Sequence, residues 1–157
     1  MKYIAVYLKI ISIYICSIII VYAEEIIPVD ITSDEMQWDD NERIAYAIGN
    51  AAAVQGKRKM QADKLIVYLE KNNDTNEIIL IKAEGNVIFT NMDEIATGKL
   101  ATYDFIKNNI IIEDEVTLDG QWGILKGKGF SYNLKSSIIN LTGKPKLSLY
   151  NNKGIVQ

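Results

Sequence analysis

The chain has no histidine and one cysteine, Cys16, among its 157 residues. Without histidine there is no Ser-His-Asp or Cys-His nucleophile, and most transition-metal sites are excluded as well. No GxxxxGK loop is present to cradle a phosphate. Acids are plentiful, but they lie side by side: Asp39 with Asp40, Asp93 with Glu94, and Glu113 with Asp114 and Glu115. Neighbours on a strand face opposite ways, so such pairs build no acid-base site and read as solvated turn residues. No enzyme and no cofactor are expected. Basic surface is scarce too. Lys57-Arg58-Lys59 is the one basic cluster, and it reads as a solvated hairpin tip rather than a phosphate site. A nucleic-acid binder would show a basic face, so none is expected as a partner. Helical periodicity is missing beyond residue 24. The longest candidate, Glu42 to Ala53, is rich in β-branched and aromatic residues and holds a Gly-Asn pair.

The first 23 residues read as an export segment. Lys2 and Lys9 form a basic start, Ile10 to Ile20 carries no charge, and Val21-Tyr22-Ala23 is a small-x-small cleavage site. The rival reading is a retained membrane anchor, which needs about 20 apolar residues. Lys9 interrupts the run and leaves too short a span. Ile15 is too large to precede a lipidated cysteine. Cleavage after Ala23 leaves a domain over 24–157 with no cysteine, held by its sheet and core alone. It also removes two of the 17 basic residues, leaving 15 against 20 acids and a net charge of −5. These features suit the periplasm.

The mature chain repeats a plan first seen from Ile44 to Leu69: strand, Gly49-Asn50 break, strand, polar turn, strand. Gly85-Asn86, Asp114-Glu115 and Gly143-Lys144 take the place of Gly49-Asn50 in later copies. Gly98 to Tyr103 and Gly127 to Tyr132 answer Asp63 to Tyr68, and Ser33 to Trp38 is an abbreviated copy. The spacing is about 36 residues once and about 29 afterwards, which marks a repeat architecture. Even spacing of short strands with Asn, Asp and Gly turns predicts an all-β, antiparallel sandwich, barrel or roll.

The apolar faces predict the interior. One parity holds Ile79, Ile81, Ala83, Val87 and Phe89. In the next copy it holds Ile110, Ile112, Val116 and Leu118, and in the last Ile139, Leu141, Pro145, Leu147 and Leu149. The first copy stays open, because Ile44, Tyr46, Ile48 and Val54 oppose Ala45, Ala47, Ala51 and Ala53. Trp38 and Trp122 lie near turns. They read as caps over the core, with a sugar-stacking platform as the alternative. Runs that are apolar on both faces, such as Ile78-Ile79-Leu80-Ile81, leave room for a ligand.

Four ordered motifs then resemble the OstA-like (LptA-type) family of lipopolysaccharide-transport proteins. They are Pro28-Val29-Asp30-Ile31-Thr32-Ser33-Asp34, Gly49-Asn50 followed by Val54-Gln55-Gly56, Ala62-Asp63-Lys64-Leu65, and Gly98 to Tyr103. The resemblance covers nearly all of the mature chain. It implies an antiparallel β-jellyroll, an open, taco-like roll with an apolar groove for lipid A acyl chains. Matched positions put Val29, Ile31, Tyr103 and Phe105 in that groove. The interior parity adds Val87, Phe89, Val116 and Leu118. The Ala-rich Ala51-Ala52-Ala53 stands where the family usually has bulkier residues.

The family also implies head-to-tail self-association through edge strands, with an LptC-like inner-membrane partner and an LptD-like outer-membrane partner. The candidate edges are Val29, Asp30, Ile31 and Thr32 at one end, and Leu147, Ser148 and Leu149 at the other. The expected function is therefore carriage of lipopolysaccharide between the two membranes. An LptC-like anchored component and an envelope assembly module that binds no lipid are the alternatives. A sugar-active enzyme on the same roll lacks the chemistry.

Overall fold

A computed structural model of the chain describes residues 27–72 and 75–150. The export segment, its cleavage site and Cys16 lie outside the described residues. The strands are β1 (Asp30–Thr32), β2 (Glu35–Asp39), β3 (Ile44–Gln55), β4 (Arg58–Asn72), β5 (Thr75–Asn91), β6 (Glu94–Asp104), β7 (Asn109–Gly120), β8 (Gly123–Asn133), β9 (Ile138–Thr142) and β10 (Lys146–Leu149). Every pairing is antiparallel. The order is β1-β3-β4-β5-β6-β7-β8-β10, with β2 also on β3 and β9 also on β8.

A crease of irregularities crosses this sheet. The register shifts between Ile48 and Ala51, Glu84 and Val87, and Glu113 and Val116. At each place two consecutive residues take positive φ: Gly49-Asn50, Gly85-Asn86 and Asp114-Glu115. Gly143-Lys144 does the same where β9 gives way to β10. These are the four positions of the repeat. Gly and Asn tolerate that left-handed conformation best. The chain opposite supplies a partner: Asn50 Nδ2 donates to Asp34, between β1 and β2, at 2.8 Å, and Asn86 Nδ2 donates to Asp63 of β4 at 2.9 Å. Where Asp114-Glu115 replaces Gly-Asn, Gly98 replaces the aspartate and Lys99 Nζ lies 3.4 Å from both carboxylates. Gly49-Asn50 is thus a bulge inside one continuous strand, not the break between two strands that its residues suggest. Gly85→Val tests the crease. Its Cβ would meet the Asp63 carboxylate at a φ of +75°. The expected loss is about 1–3 kcal/mol, read from the urea midpoint.

The crease divides the sheet into halves that fold onto each other. Arg58 pairs with Asn91 and Asn91 with Glu94. In a flat sheet the nine residue steps from Glu94 to Tyr103 would span roughly 30 Å. Instead the Tyr103 hydroxyl lies 2.9 Å from Gln55, beside Arg58. The core lies between the halves and contains Leu65, Val67, Ile81, Val87, Ile110, Ile112, Val116, Leu118 and Phe130. The alanine parity of the first copy faces inward, with Ala47, Ala51 and Ala53 buried and Ile44, Tyr46 and Ile48 half-buried outside. This architecture is an antiparallel β-jellyroll.

Two sequence expectations need correction. Leu147 and Leu149 keep the inner parity, since Leu147 pairs with Leu125 beside buried Leu118. They are nevertheless 52% and 67% exposed, and Pro145 is exposed too. β10 ends the sheet among the described residues, and none of them covers its inner face. Trp38, expected as a cap, is 48% exposed for the same reason at the other edge.

Candidate functional site

The space between the half-sheets narrows to an apolar cavity near their free ends. Val29, Ala53, Met60, Ile81, Phe89, Tyr103 and Phe105 line it, with Gln55, Arg58 and Lys59 at its lip. Strand alternation brings these residues together. Met60 and Arg58 share the inner face of β4, Phe89 the inner face of β5, and Tyr103 that of β6. The small Ala53 lies opposite Ile31 of β1 and leaves space beside it. Tyr103 and Phe105 stack at 3.9 Å between ring centroids, 14° apart. They fill much of the gap. The remaining cavity volume is about 10 Å³, room for about one water.

Of the groove residues expected from sequence, Val29, Phe89, Tyr103 and Phe105 meet at this cavity. Ile31 packs against the core next to it. Val87, Val116 and Leu118 are buried deeper in the core and do not line it. Sequence reasoning missed Gln55, Met60 and Arg58. Arg58 belongs to the basic cluster read as a solvated tip, yet its side chain turns inward with Met60.

Polar bridges close the seam opposite the crease. The Tyr103 hydroxyl donates to Gln55 Oε1 at 2.9 Å, and Arg58 Nη1 donates to Tyr103 at 3.3 Å. Asn91 Nδ2 donates to the Tyr132 hydroxyl at 3.4 Å. Both tyrosines belong to one half-sheet and their partners to the other. Burial pushes the Tyr103 hydroxyl above the ordinary tyrosine value, and the Arg58 cation pulls it back. The unfolded chain therefore loses this proton first as pH rises through about 10. Stability should be level below that pH and fall above it, because the folded state then binds more protons. Lys99 and Tyr150 are also raised, so they titrate in the same region. The test is a difference: Tyr103→Phe should flatten part of the alkaline decline in an unfolding series from pH 8 to 11.

Among the described residues both sheet edges are open: β1 and β2 pair only with β3, and β9 and β10 only with β8. Inner-face apolar residues stand uncovered at both: Met36 and Trp38 at one edge, Leu147 and Leu149 at the other. The expected edge residues Asp30, Ile31, Thr32, Leu147, Ser148 and Leu149 all lie on these strands, and Val29 just precedes β1. Among the described residues, His, Cys, Asp and Glu nowhere gather in a group fit to hold a metal ion.

A family profile described as LptA/(LptD N-terminal domain) LPS transport protein matches residues 30–138. The LPS-assembly protein LptD of Vibrio cholerae serotype O1 is 27% identical over 92 residues, which are 59% of this chain and 10% of that protein. The chain thus spans a small part of that relative. LptH of Pseudomonas aeruginosa has been solved as the LptA-homologous periplasmic component of the lipopolysaccharide transport device. Its crystal structure superposes with a TM-score of 0.69 at 16% identity, over 79% of this chain and 94% of that one. At this identity the likeness concerns the fold.

Proposed function

The chain belongs to the LptA/LptD N-terminal family of lipopolysaccharide-transport proteins, and on that premise we propose that it carries lipopolysaccharide through the periplasm, acyl chains held between its half-sheets. The apolar cavity between those halves is the observation that supports this reading most. The protein is a carrier rather than an enzyme. Acyl chains enter when the tyrosine seam parts, because the cavity as it stands admits only about one water. The open edges serve head-to-tail stacking and docking to an LptC-like inner-membrane partner and an LptD-like outer-membrane partner. Residues 24–157 are the working domain and the preceding segment is removed on export; the intact mass of the protein from the envelope fraction tests this. A mass that retains Met1 to Ala23 favours an anchored, LptC-like component.

One observation favours a second reading. A cavity of about 10 Å³ also suits an assembly module that uses its edges and binds no lipid. Photo-crosslinking in cells from Ile31 and Phe105, followed by probing the adduct for lipopolysaccharide, separates the two. A lipid adduct at both positions is expected. Protein adducts alone count for the assembly module.

A further inference from the structure

The lip of the cavity carries a charge that a purely hydrocarbon ligand would not use. Arg58 is the first residue of β4, directly after the Gly56-Lys57 turn. It is half-buried and shares a face with Met60, which is 2% exposed. Its protein contacts are weak. Nη1 reaches the Tyr103 hydroxyl at 3.3 Å and Gln55 Oε1 at 3.4 Å, both neutral acceptors. A guanidinium has five N–H donors in a fixed fork. Among the described residues no carboxylate lies within 4.0 Å of Arg58, Lys57 or Lys59, although acids outnumber bases in the chain 20 to 17. A half-buried cation without an anion is costly. Here it stands over an apolar space that Lys59 also borders.

We propose that Arg58, with Lys57 and Lys59 beside it, is a phosphate site at the cavity mouth that takes the head group of a phosphorylated acyl lipid. The proposal rests on the lipid reading above. An amphiphile with an anion at the root of its acyl chains matches both parts of the site at once. The guanidinium fork fits two phosphate oxygens, and the ammonium groups add point charges. Phosphate competes with Tyr103 and Gln55 for Arg58. Its arrival therefore frees one of the bridges that hold the seam shut, which couples head-group capture to opening of the groove.

Three probes test the site on the full-length mature protein. They are an acylated glucosamine disaccharide bearing two phosphates, the same lipid with both phosphates removed, and glucosamine 1-phosphate without acyl chains. The wild type should bind the phosphorylated lipid about tenfold more tightly than the dephosphorylated one, the low end for hydrogen bonds to a charged group. Arg58→Gln should lose most of that preference, read as the ratio of the two lipids' affinities within the variant, because loss of the Tyr103 bridge acts on both lipids alike and cancels in the ratio. If Arg58→Gln does not fold, Lys57→Gln with Lys59→Gln, both at exposed positions, should reduce the preference instead. Equal binding of the two lipids, or a preference kept in full by the variants, overturns the site. Glucosamine 1-phosphate binding as tightly as the lipid overturns the lipid source in favour of a soluble phosphate. If the wild type binds neither lipid, the groove reading itself has failed. Glucosamine 1-phosphate then decides the anion site alone: a shift of the Arg58 Nε resonance supports it, and no shift overturns it.

Discussion

Phe105→Asp should reduce binding of an acylated lipid by about a hundredfold or more while the roll still folds. Phe105 lies just past the end of β6, half-buried, with its N–H held by the Ile79 carbonyl at 3.1 Å. That backbone bond survives the substitution. The side chain stacks on Tyr103 and lines the cavity, so removing it costs stability through lost packing. An aspartate there places a carboxylate where acyl chains would lie. Burying an ion beside hydrocarbon costs several kcal/mol, and each 1.4 kcal/mol is a factor of ten in affinity. Arg58 lines the same cavity and is positioned to meet the new carboxylate. Such a pair would offset part of the folding cost and hold the mouth closed. Phe105→Leu keeps the apolar surface and should retain binding within about tenfold, since it removes no more than one ring's worth of contact. Fluorescent lipid displacement gives the affinities, and thermal unfolding checks the fold. A folded Phe105→Asp protein that binds lipid like the wild type removes the cavity from the lipid path.

Different parts of the structure were legible in the sequence to different degrees, for physical reasons. The crease positions were plain because positive φ is a local demand. Gly49-Asn50 and Gly85-Asn86 meet it with the residues that tolerate it best, and the repeat carried the assignment to Asp114-Glu115 and Gly143-Lys144. Whether such a pair ends a strand or bulges within it depends on the strand opposite. Asp34 and Asp63 decide that, and they lie 16 and 23 residues away from their asparagines. Parity identified the inner face of Leu147 and Leu149 correctly. It could not say whether anything covers that face, because coverage belongs to the neighbouring strand. The first copy was ambiguous since alanine and isoleucine both count as apolar, and only the closure of the halves shows that the smaller set is inside. Arg58 was hidden by the same closure. A Lys-Arg-Lys turn reads as solvated until the two half-sheets, roughly 30 Å apart along a flat sheet, come together over it.

Proline at Leu147 or Leu149 should abolish concentration-dependent assembly and leave the isolated roll intact. The Tyr150 N–H donates to the Trp122 carbonyl at 3.1 Å, towards β8. Antiparallel strands alternate the direction of their N–H groups. Ser148 and Lys146 therefore point inward with Tyr150, and Leu147 and Leu149 point their N–H groups outward. Proline at either site removes a donor from the free edge and none from the existing ladder. This edge, unpaired among the described residues, would be a template for another strand, with the β1–β2 edge of a second copy as the complementary one. A first edge meeting a last edge is heterologous, so it propagates instead of closing. Strand addition would supply main-chain hydrogen bonds of about 0.5–1.5 kcal/mol each. It would also cover Leu147, Leu149, Met36 and Trp38, which are each about half-exposed or more. Full burial of such side chains is worth about 1.5–3 kcal/mol each, and only part of that remains to be gained here. Association itself costs about 4–15 kcal/mol. The gains and this cost are of similar size, so the join is weak, with dissociation expected at micromolar concentrations or higher. Light scattering across a concentration series should show a mass that climbs without a plateau at two copies. Leu147→Pro and Leu149→Pro should stay monomeric at the same concentrations, with an unchanged urea slope. A wild type that is strictly monomeric when concentrated, or a closed dimer that proline leaves untouched, would show that these edges do not join copies of this chain.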